Sequence, residues 1–392
     1  MGLIAACEVG GRSGSAQAIH RVPGGSTAQL IAAARSARAG DVISLSPGIY
    51  SGVELRDLRF AGPVTITSAD PANPAVLFDL TVRGSRNLAF SQLVLNAQDG
   101  GDINDFTVRD SSDIAFDHVE VKGPPLRPDL LEAGLMFRVN RAISVTNSEF
   151  HNLRHGVSLL DNDGVTVSRN TFHDLRTDGI RGGGNSNVVV ADNLLADFHP
   201  APGDHPDAIQ FWTGNTTASA KNITVTGNVF VRGRGSIAQG IFFRDQVGNL
   251  PYQNVTIDGN LIVGAMGNGI ASGGIGSGRI TNNTVVALQD FPKSWILVAL
   301  PADMVIEGNV ATLYIVGRDM KTVPAGNRRQ PPVSDGGAAL LSSWLAKHAM
   351  PGGDRPIASQ LLGSLGFRAS AVSICAADEE AAVCIFRHAE RG

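Results

Sequence analysis

The chain has 392 residues, of which 43% are hydrophobic, 17% charged and 6% aromatic, and its formal net charge is −4. This hydrophobic content excludes wholesale disorder, and no apolar run approaches the length of a membrane-spanning helix. The acidic balance, without a basic segment, argues against nucleic-acid binding. The 46 Gly and 19 Pro follow no collagen period and favour many short strands joined by tight turns.

The N-terminal part contains one predicted helix. Residues 1–22 form an extension whose first seven residues lack a cationic leader and are too short for a signal peptide. The segment TAQLIAAARSARA, from Thr27, has the spacing of an amphipathic helix. We expect this helix to cap the open end of the structure that follows, where strand edges would otherwise be unpaired.

The central part of the chain repeats itself. Segments that alternate apolar and polar residues recur at intervals of about 23 residues or more, as expected for coils of a parallel β-helix. The same column of the later repeats carries Asn170, Asn193, Asn228, Asn260, Asn283 and Asn309. Asn suits a sharp bend because it tolerates left-handed backbone, and stacked Asn side chains can also form an amide ladder.

Each repeat also contains a second strand. Its inward column is predicted to hold Val157, Ile180, Ile209, Ile241 and Ile270. Its outward positions then include Arg181, Gln210, Trp212 and Arg244. The pattern defines a β-helix with its capping helix over residues 23–320, a polar linker over 321–337, and a small helical or mixed appendage over 338–392 that begins with a helix at Ala338.

Two repeats are oversized. The units from Asn193 to Asn228 and from Asn228 to Asn260 exceed a 23-residue coil by about 12 and about 9 residues, and insertions in a solenoid form loops on one face, often the binding face. Polar and ionisable residues concentrate there. We therefore expect the functional site on these coils.

Two carboxylates recur at one position of consecutive coils. Asp178 and Asp207 should lie about 4.8 Å apart along the stack. Like charges at that distance raise the pKa of one carboxyl, which gives a protonated acid beside an ionised partner, as glycoside hydrolysis requires. Asp204 could stand across the cleft as a further carboxylate, at a larger separation from the pair.

The same region offers groups for other chemistry. Arg181 or Arg244 could bind a sugar carboxylate, Trp212 could face a sugar ring, and Gln210 and Asp245 lie beside them.

His205 could act as a base, with Arg181 or Arg244 as the neutralising cation, in a β-elimination. The reaction needs no cofactor, although Asp178, Asp204, His205 and Asp207 could together hold a hard cation such as Ca²⁺. His155 and His173 are interpreted as turn or ladder residues.

The repeat pattern over residues 23–316 resembles right-handed parallel β-helix proteins, a group that includes pectate lyases, polygalacturonases, chondroitinase-B-like and alginate lyases, mannuronan epimerases and phage tailspikes. The resemblance implies an all-β fold. Segments 177–180 and 203–207 are similar to the acidic motifs of polygalacturonases, which implies acid and water-activating roles for Asp178, Asp204 and Asp207. The group's alginate lyases use a Lys/Arg pair with a metal, but residues 155–220 contain no Lys.

The sequence thus predicts an enzyme that depolymerises an extended, acidic polysaccharide, with hydrolysis preferred. Elimination, uronan epimerisation and a non-catalytic, tailspike-like adhesin are the alternatives. The expected partner is a polysaccharide and not nucleic acid, no membrane span is expected, and the expected location is secreted, extracellular or virion-associated. The sequence leaves open whether the protein is a monomer or a trimer, and whether Cys375 and Cys384 are bridged or free.

Overall fold

The chain winds through three parallel sheets, which confirms the predicted parallel β-helix. The computed structural model describes residues 17–100, 103–236, 238–299, 303–354 and 356–364. Each coil passes through sheet 1, sheet 2 and sheet 3 in that order before it returns to sheet 1 one strand further along the stack. All three cysteines and the first seven residues lie outside the described residues.

The strands are short and follow one another in register. Sheet 1 consists of Ile19–Val22, Val42–Leu45, Arg59–Ser68, Arg86–Ser91, Ser112–Asp117, Arg141–Thr146, Asp163–Ser168, Ser186–Ala191, Lys221–Thr226, Gln253–Asp258, Ser277–Thr281 and Asp303–Glu307. Sheet 2 consists of Ile49–Tyr50, Val76–Leu77, Val94–Asn96, Glu120–Lys122, Glu149–Leu153, Thr171–Leu175, Leu194–Phe198, Val229–Val231, Leu261–Val263, Thr284–Val286, Val310–Ala311 and Arg328–Arg329. Sheet 3 consists of Val53–Arg56, Leu80–Arg83, Phe106–Arg109, Leu135–Arg138, Val157–Leu160, Ile180–Gly183, Asp207–Trp212, Gln239–Arg244, Gly267–Ser272, Ser294–Val298 and Leu313–Val316.

In the part of the chain that the structure describes, three helices accompany the sheets. Helix α1 (Thr27–Ser36) forms near the N-terminus as predicted and packs Leu30 and Ala34 into the core. Helices α2 (Ala338–Leu345) and α3 (Pro356–Ser364) cover an apolar stretch of sheet 2, where Leu341 and Leu361 join the same buried cluster as strand residues. None of the helices in these described ranges has the length and apolar character needed to span a bilayer.

The ends of the β-helix extend beyond the ranges expected from the repeats. The strand Ile19–Val22 pairs with Val42–Leu45, so sheet 1 begins inside the N-terminal segment 1–22. The strand Arg328–Arg329 pairs with Val310–Ala311, so sheet 2 continues into the segment 321–337.

The interior is filled by inward columns of apolar side chains. The predicted column of sheet 3 forms as expected, since Val157, Ile180, Ile209, Ile241 and Ile270 pair in register and are all buried. Aromatic rings also stack between coils, such as Phe211 on Phe243 with their centroids 5.0 Å apart. Stacking of like side chains therefore fixes the register of each strand on its neighbour.

A buried ladder of asparagine side chains lines the corner between sheets 1 and 2. Asn193 donates from its Nδ2 to Oδ1 of Asn228 at 2.9 Å, and Asn228 donates in the same way to Asn260 at 3.0 Å. The same oxygens accept backbone N–H groups, for example that of Asn193 on Asn228 Oδ1 at 3.1 Å. The amide ladder expected from the sequence is therefore present.

The left-handed backbone at this corner belongs to a different residue than the sequence suggested. It occurs one position before the ladder, at Asp192, Gly227 and Gly259, for example, with φ of 55°, 63° and 64°. The ladder residue must keep its amide pointing inward along the stack, so the residue before it makes the bend.

The ladder should contribute measurably to stability. Replacing Asn228 by Ala leaves the backbone N–H and side-chain amide of Asn193 without their buried acceptor, which should lower the free energy of unfolding by about 2–4 kcal/mol. Denaturant titration measures this change.

The exposed ladder of Asn187, Asn222 and Asn254 supplies the control. Asn222→Gly keeps the left-handed backbone and removes a solvated amide, so the change should stay below about 1 kcal/mol. Equal losses in the two variants would contradict a special role for the buried ladder.

Candidate active site

The strand register places a polar column at the corner between sheets 2 and 3. Asp207 pairs with Gln239, and the inward isoleucines two positions further on pair with one another. The column, one residue per coil, consists of His155, Asp178, Asp207, Gln239 and Asn268. Gly179 follows Asp178 because a Cβ there would lie 2.5 Å from Leu195 and 2.7 Å from the carbonyl oxygen of Ala208.

Asp178 and Asp207 lie next to each other in this column, as the sequence predicted. The backbone N–H of Asp207 donates to Oδ1 of Asp178 at 3.0 Å, while Oδ2 of Asp178 contacts Nη1 of Arg181 at 3.0 Å. Only 4% of the Asp178 side chain is exposed. Burial raises the pKa of Asp178 to about 6; Arg181 lowers this pKa and the Asp207 charge raises it further.

Asp207 orients an exposed histidine. Its side chain is 0% exposed, and its Oδ2 accepts hydrogen bonds from His205 Nδ1 at 3.0 Å and from the amide of Gln210. Burial raises the pKa of Asp207, and the hydrogen bond to Asp207 raises the pKa of His205. His205 itself is 57% exposed, so its ring can reach a ligand.

The outer face of sheet 3 carries the expected binding groups. The Arg181 guanidinium lies over the Trp212 ring, 4.8 Å from its centroid, and 28% of the Arg181 side chain is exposed. Phe242 meets the His205 ring edge to face at 5.6 Å. A cleft of about 280 Å³ continues along the sheet from this point, with Arg244 in its lining. The arrangement can hold an anionic group and an apolar ring face together.

Asp204 does not join the carboxylate pair. Both of its oxygens are bound by Arg176, at 2.8 and 2.9 Å, and Arg176 also donates to the carbonyl oxygen of Leu130 at 2.9 Å. This contact lowers the pKa of Asp204. Asp204 therefore anchors its loop and is not placed as the further carboxylate that the sequence suggested.

Asp245 is likewise engaged within its own loop. Its Oδ1 accepts from Thr213 Oγ1 at 2.6 Å and from the N–H of Gly248 at 2.9 Å, and its Oδ2 accepts from the N–H of Leu250 at 2.8 Å. These bonds close the turn after the strand. The carboxylate is thus a loop cap, not one of the free substrate contacts expected at this position.

The structure adds three residues to the site that sequence reasoning did not use. His155 is buried one coil below Asp178; burial lowers its pKa to about 3, and its Nδ1 has no hydrogen-bond partner. Gln239 contacts Nε2 of His205 through its amide nitrogen, and its Oε1 accepts from Asn268. Each of the three directly precedes a glycine at the same point of its repeat, which is the signal that could have found it, but only the two aspartates of the column suggested chemistry.

The sequence also suggested four of these residues, Asp178, Asp204, His205 and Asp207, as ligands for a hard cation. No group of three or more His, Cys, Asp or Glu side chains in the described ranges is arranged to hold a metal ion. Asp204, one of the four suggested Ca²⁺ ligands, is bound by Arg176 instead. The Ca²⁺ site stays an untested prediction from the sequence.

Several solved structures are similar to this chain. The structure is similar to an alginate lyase from Paenibacillus sp. (16% identity, 80% of this chain, 99% of that chain, TM-score 0.47). It is also similar to a mannuronic acid specific polysaccharide lyase from human gut microbiota (13% identity, 89% of this chain, 99% of that chain, TM-score 0.45). A lacto-N-biosidase from Eubacterium ramulus is similar as well (12% identity, 75% of this chain, 67% of that chain, TM-score 0.48).

A sequence family model gives the handedness of the β-helix. No curated protein sequence matches the chain. The family model described as "Right handed beta helix region" matches residues 100–285. With the three sheets described above, the fold is a right-handed parallel β-helix.

The raised pKa of Asp178 predicts a pH-dependent stability. The folded state binds the Asp178 proton more tightly than the unfolded state does, so ionising this carboxyl lowers the free energy of unfolding. This cost is absent below pH 3.8 and reaches its full size above pH 6. Asp178→Asn removes this cost. Relative to the wild type, the variant should gain up to about 3 kcal/mol in free energy of unfolding between about pH 4 and about pH 8.

Asp204→Asn provides a control of opposite sign. Its carboxyl has a lowered pKa, so this variant should be less stable than the wild type at neutral pH, and the difference should shrink as the pH falls. The Asp204 difference shrinks only below pH 3.8, so denaturant titrations from about pH 2 to about pH 8 give both curves. A difference for Asp178→Asn that does not change with pH would show that its carboxyl is not perturbed.

Proposed function

We propose that this site cleaves an acidic, uronate-containing polysaccharide by β-elimination. The observation that carries the proposal is the exposed imidazole of His205, fixed by the fully buried Asp207, on the same face as the Arg181 guanidinium. The geometry thus favours β-elimination over the hydrolysis that the sequence suggested. The two carboxylates expected to act on the glycosidic bond are buried, and each is used to position another group.

The residues divide the reaction between them. Arg181 binds the carboxylate of the uronate and neutralises the negative charge that develops there as the neighbouring carbon loses its proton. His205 takes that proton through Nε2, which must give up its contact with the Gln239 amide when the substrate binds, since Nδ1 holds a proton that it donates to Asp207. The electron pair forms the carbon–carbon double bond as the glycosidic C–O bond breaks. The leaving oxygen then takes a proton from the imidazolium of His205.

The buried acids support this division. Asp207 holds the tautomer of His205 and stabilises its imidazolium, while Asp178 and the ring of Trp212 hold Arg181 in place. A polysaccharide substrate is consistent with a secreted or surface location.

Hydrolysis remains the second candidate because of the pKa of Asp178. A carboxyl with a pKa of about 6 beside a second carboxylate is suited to a general acid. For this reaction, the side chain of Asp178 would need to become exposed when the substrate binds.

Product analysis distinguishes the candidates. Incubation with polyuronates should give fragments that carry a double bond, absorb in the ultraviolet, and are lighter by one water than hydrolytic products. Fragments of hydrolytic mass would contradict elimination in favour of hydrolysis. Altered stereochemistry in chains of unchanged length would indicate epimerisation, and binding without turnover would indicate an adhesin.

Two variants test the assigned base. His205→Gln should lower kcat by about 10³-fold or more, and Asp207→Asn should lower it by about 10²–10⁴-fold because the tautomer is no longer held. His199→Gln is the matched control, because His199 is an exposed histidine of the same loop that contacts Asp174 on sheet 2. Equal activity of the His205 and His199 variants would refute the assignment.

A further inference from the structure

Four arginines stand in one register column on sheet 3, on the N-terminal side of the site. Strand pairing aligns Arg56 with Arg83, Arg83 with Arg109, and Arg109 with Arg138. Each is the last residue of its strand and alternates with the buried apolar positions, so its side chain lies on the outer face. We call these four residues the arginine stripe.

The stripe lies on the same face as the candidate active site. The column continues from Arg138 through Leu160 and Gly183 to Trp212 and Arg244. Arg181 occupies the neighbouring outward column, two coils beyond Arg138. Strands are about 4.8 Å apart, so guanidinium groups recur at this spacing along a line parallel to the axis of the β-helix.

The charge of the stripe is only partly compensated. Arg56 contacts Glu54 at 2.9 Å and Arg83 contacts Asp110 at 3.5 Å, in both cases between exposed side chains. Within the described ranges, no carboxylate lies within ion-pair distance of Arg109 or Arg138, and Nε of Arg109 is buried without a hydrogen-bond partner. Like charges stacked directly on adjacent strands are destabilising, so the column favours an anionic ligand.

A groove accompanies the stripe. A cavity of about 610 Å³ lies at the corner that follows these strands, and its charged lining residues are three arginines and three aspartates: Arg59, Arg86, Arg141, Asp110, Asp161 and Asp163. The protein thus presents a row of guanidinium donors and an adjacent depression along several coils, which is the shape that an extended chain requires.

We infer that the arginine stripe binds the uncleaved part of a polyuronate chain that runs along the axis of the β-helix to Arg181 and His205. A polyuronate carries one carboxylate on each sugar, and a guanidinium binds a carboxylate with two parallel hydrogen bonds. The inference rests on the proposed function and adds to it the direction of the chain and the preference for long, acidic substrates.

The test compares long and short substrates. In the Arg109→Gln, Arg138→Gln double variant, KM for long polyuronate should rise about five- to tenfold while kcat stays unchanged, because two charge-assisted contacts are lost. KM for a short oligouronide that occupies only the site around Arg181 should not change. Added salt should weaken binding of the long chain more in the wild type than in the variant.

Arg279→Gln is the matched control, since Arg279 is an exposed arginine on the outer face of sheet 1. It should leave KM for the long chain unchanged. If the half-buried Arg109 cannot be replaced without unfolding, the Arg83→Gln, Arg138→Gln double variant changes only exposed residues and gives the same test.

Binding of long polyuronate to inactive His205→Gln separates this inference from the proposed reaction. Loss of affinity in the stripe variants would support the stripe, and if the wild type then cleaves no polyuronate, elimination alone is contradicted. Cleavage of polyuronate with the same affinity in stripe and control variants would overturn the stripe and leave elimination standing.

Discussion

The structure depends on the register of one coil on the next, and the buried asparagine ladder enforces that register. A buried amide must find hydrogen-bond partners, and each ladder residue finds its asparagine partners at the same position in the coils above and below. A shift of one residue would leave the whole column unsatisfied and would turn the inward isoleucines to solvent. The ladder thus controls positions elsewhere on the coil, including the corner where Asp178 and Asp207 lie.

The candidate site combines this rigid column with an inserted loop. The register stacks two buried acids, and each acid positions one exposed group: Asp178 contacts Arg181 on the strand, and Asp207 contacts His205 at the end of the loop. The ion pair between Arg176 and Asp204 fixes that loop from outside the site. The two buried acids can therefore hold the solvent-facing base, His205, and the cation, Arg181, in fixed positions without contacting the substrate themselves.

The repeat pattern was sufficient to predict the fold, helix α1, the inward column of sheet 3 and the adjacency of Asp178 and Asp207, because all of these follow from periodicity. It could not predict side-chain partners set by the path of a loop, so Asp204 and Asp245 were expected in the site although Arg176 and Thr213 bind them. A second buried ladder, formed by Asn140, Asn162 and Asn185, was also missed. It spans only three coils, because the insertion at 213–220 displaces the next corner, and three residues give a weak repeat signal.

The central claim is that the outer face of sheet 3 holds an acidic glycan with its reacting sugar between Arg181 and His205. A crystal structure of the His205→Gln variant with a bound oligouronide tests this directly. The account predicts a uronate carboxylate within hydrogen-bond distance of the Arg181 guanidinium, and a chain that continues across sheet 3 towards Arg138. An oligosaccharide bound on another sheet, or one that crosses the site with no carboxylate at Arg181, would contradict it.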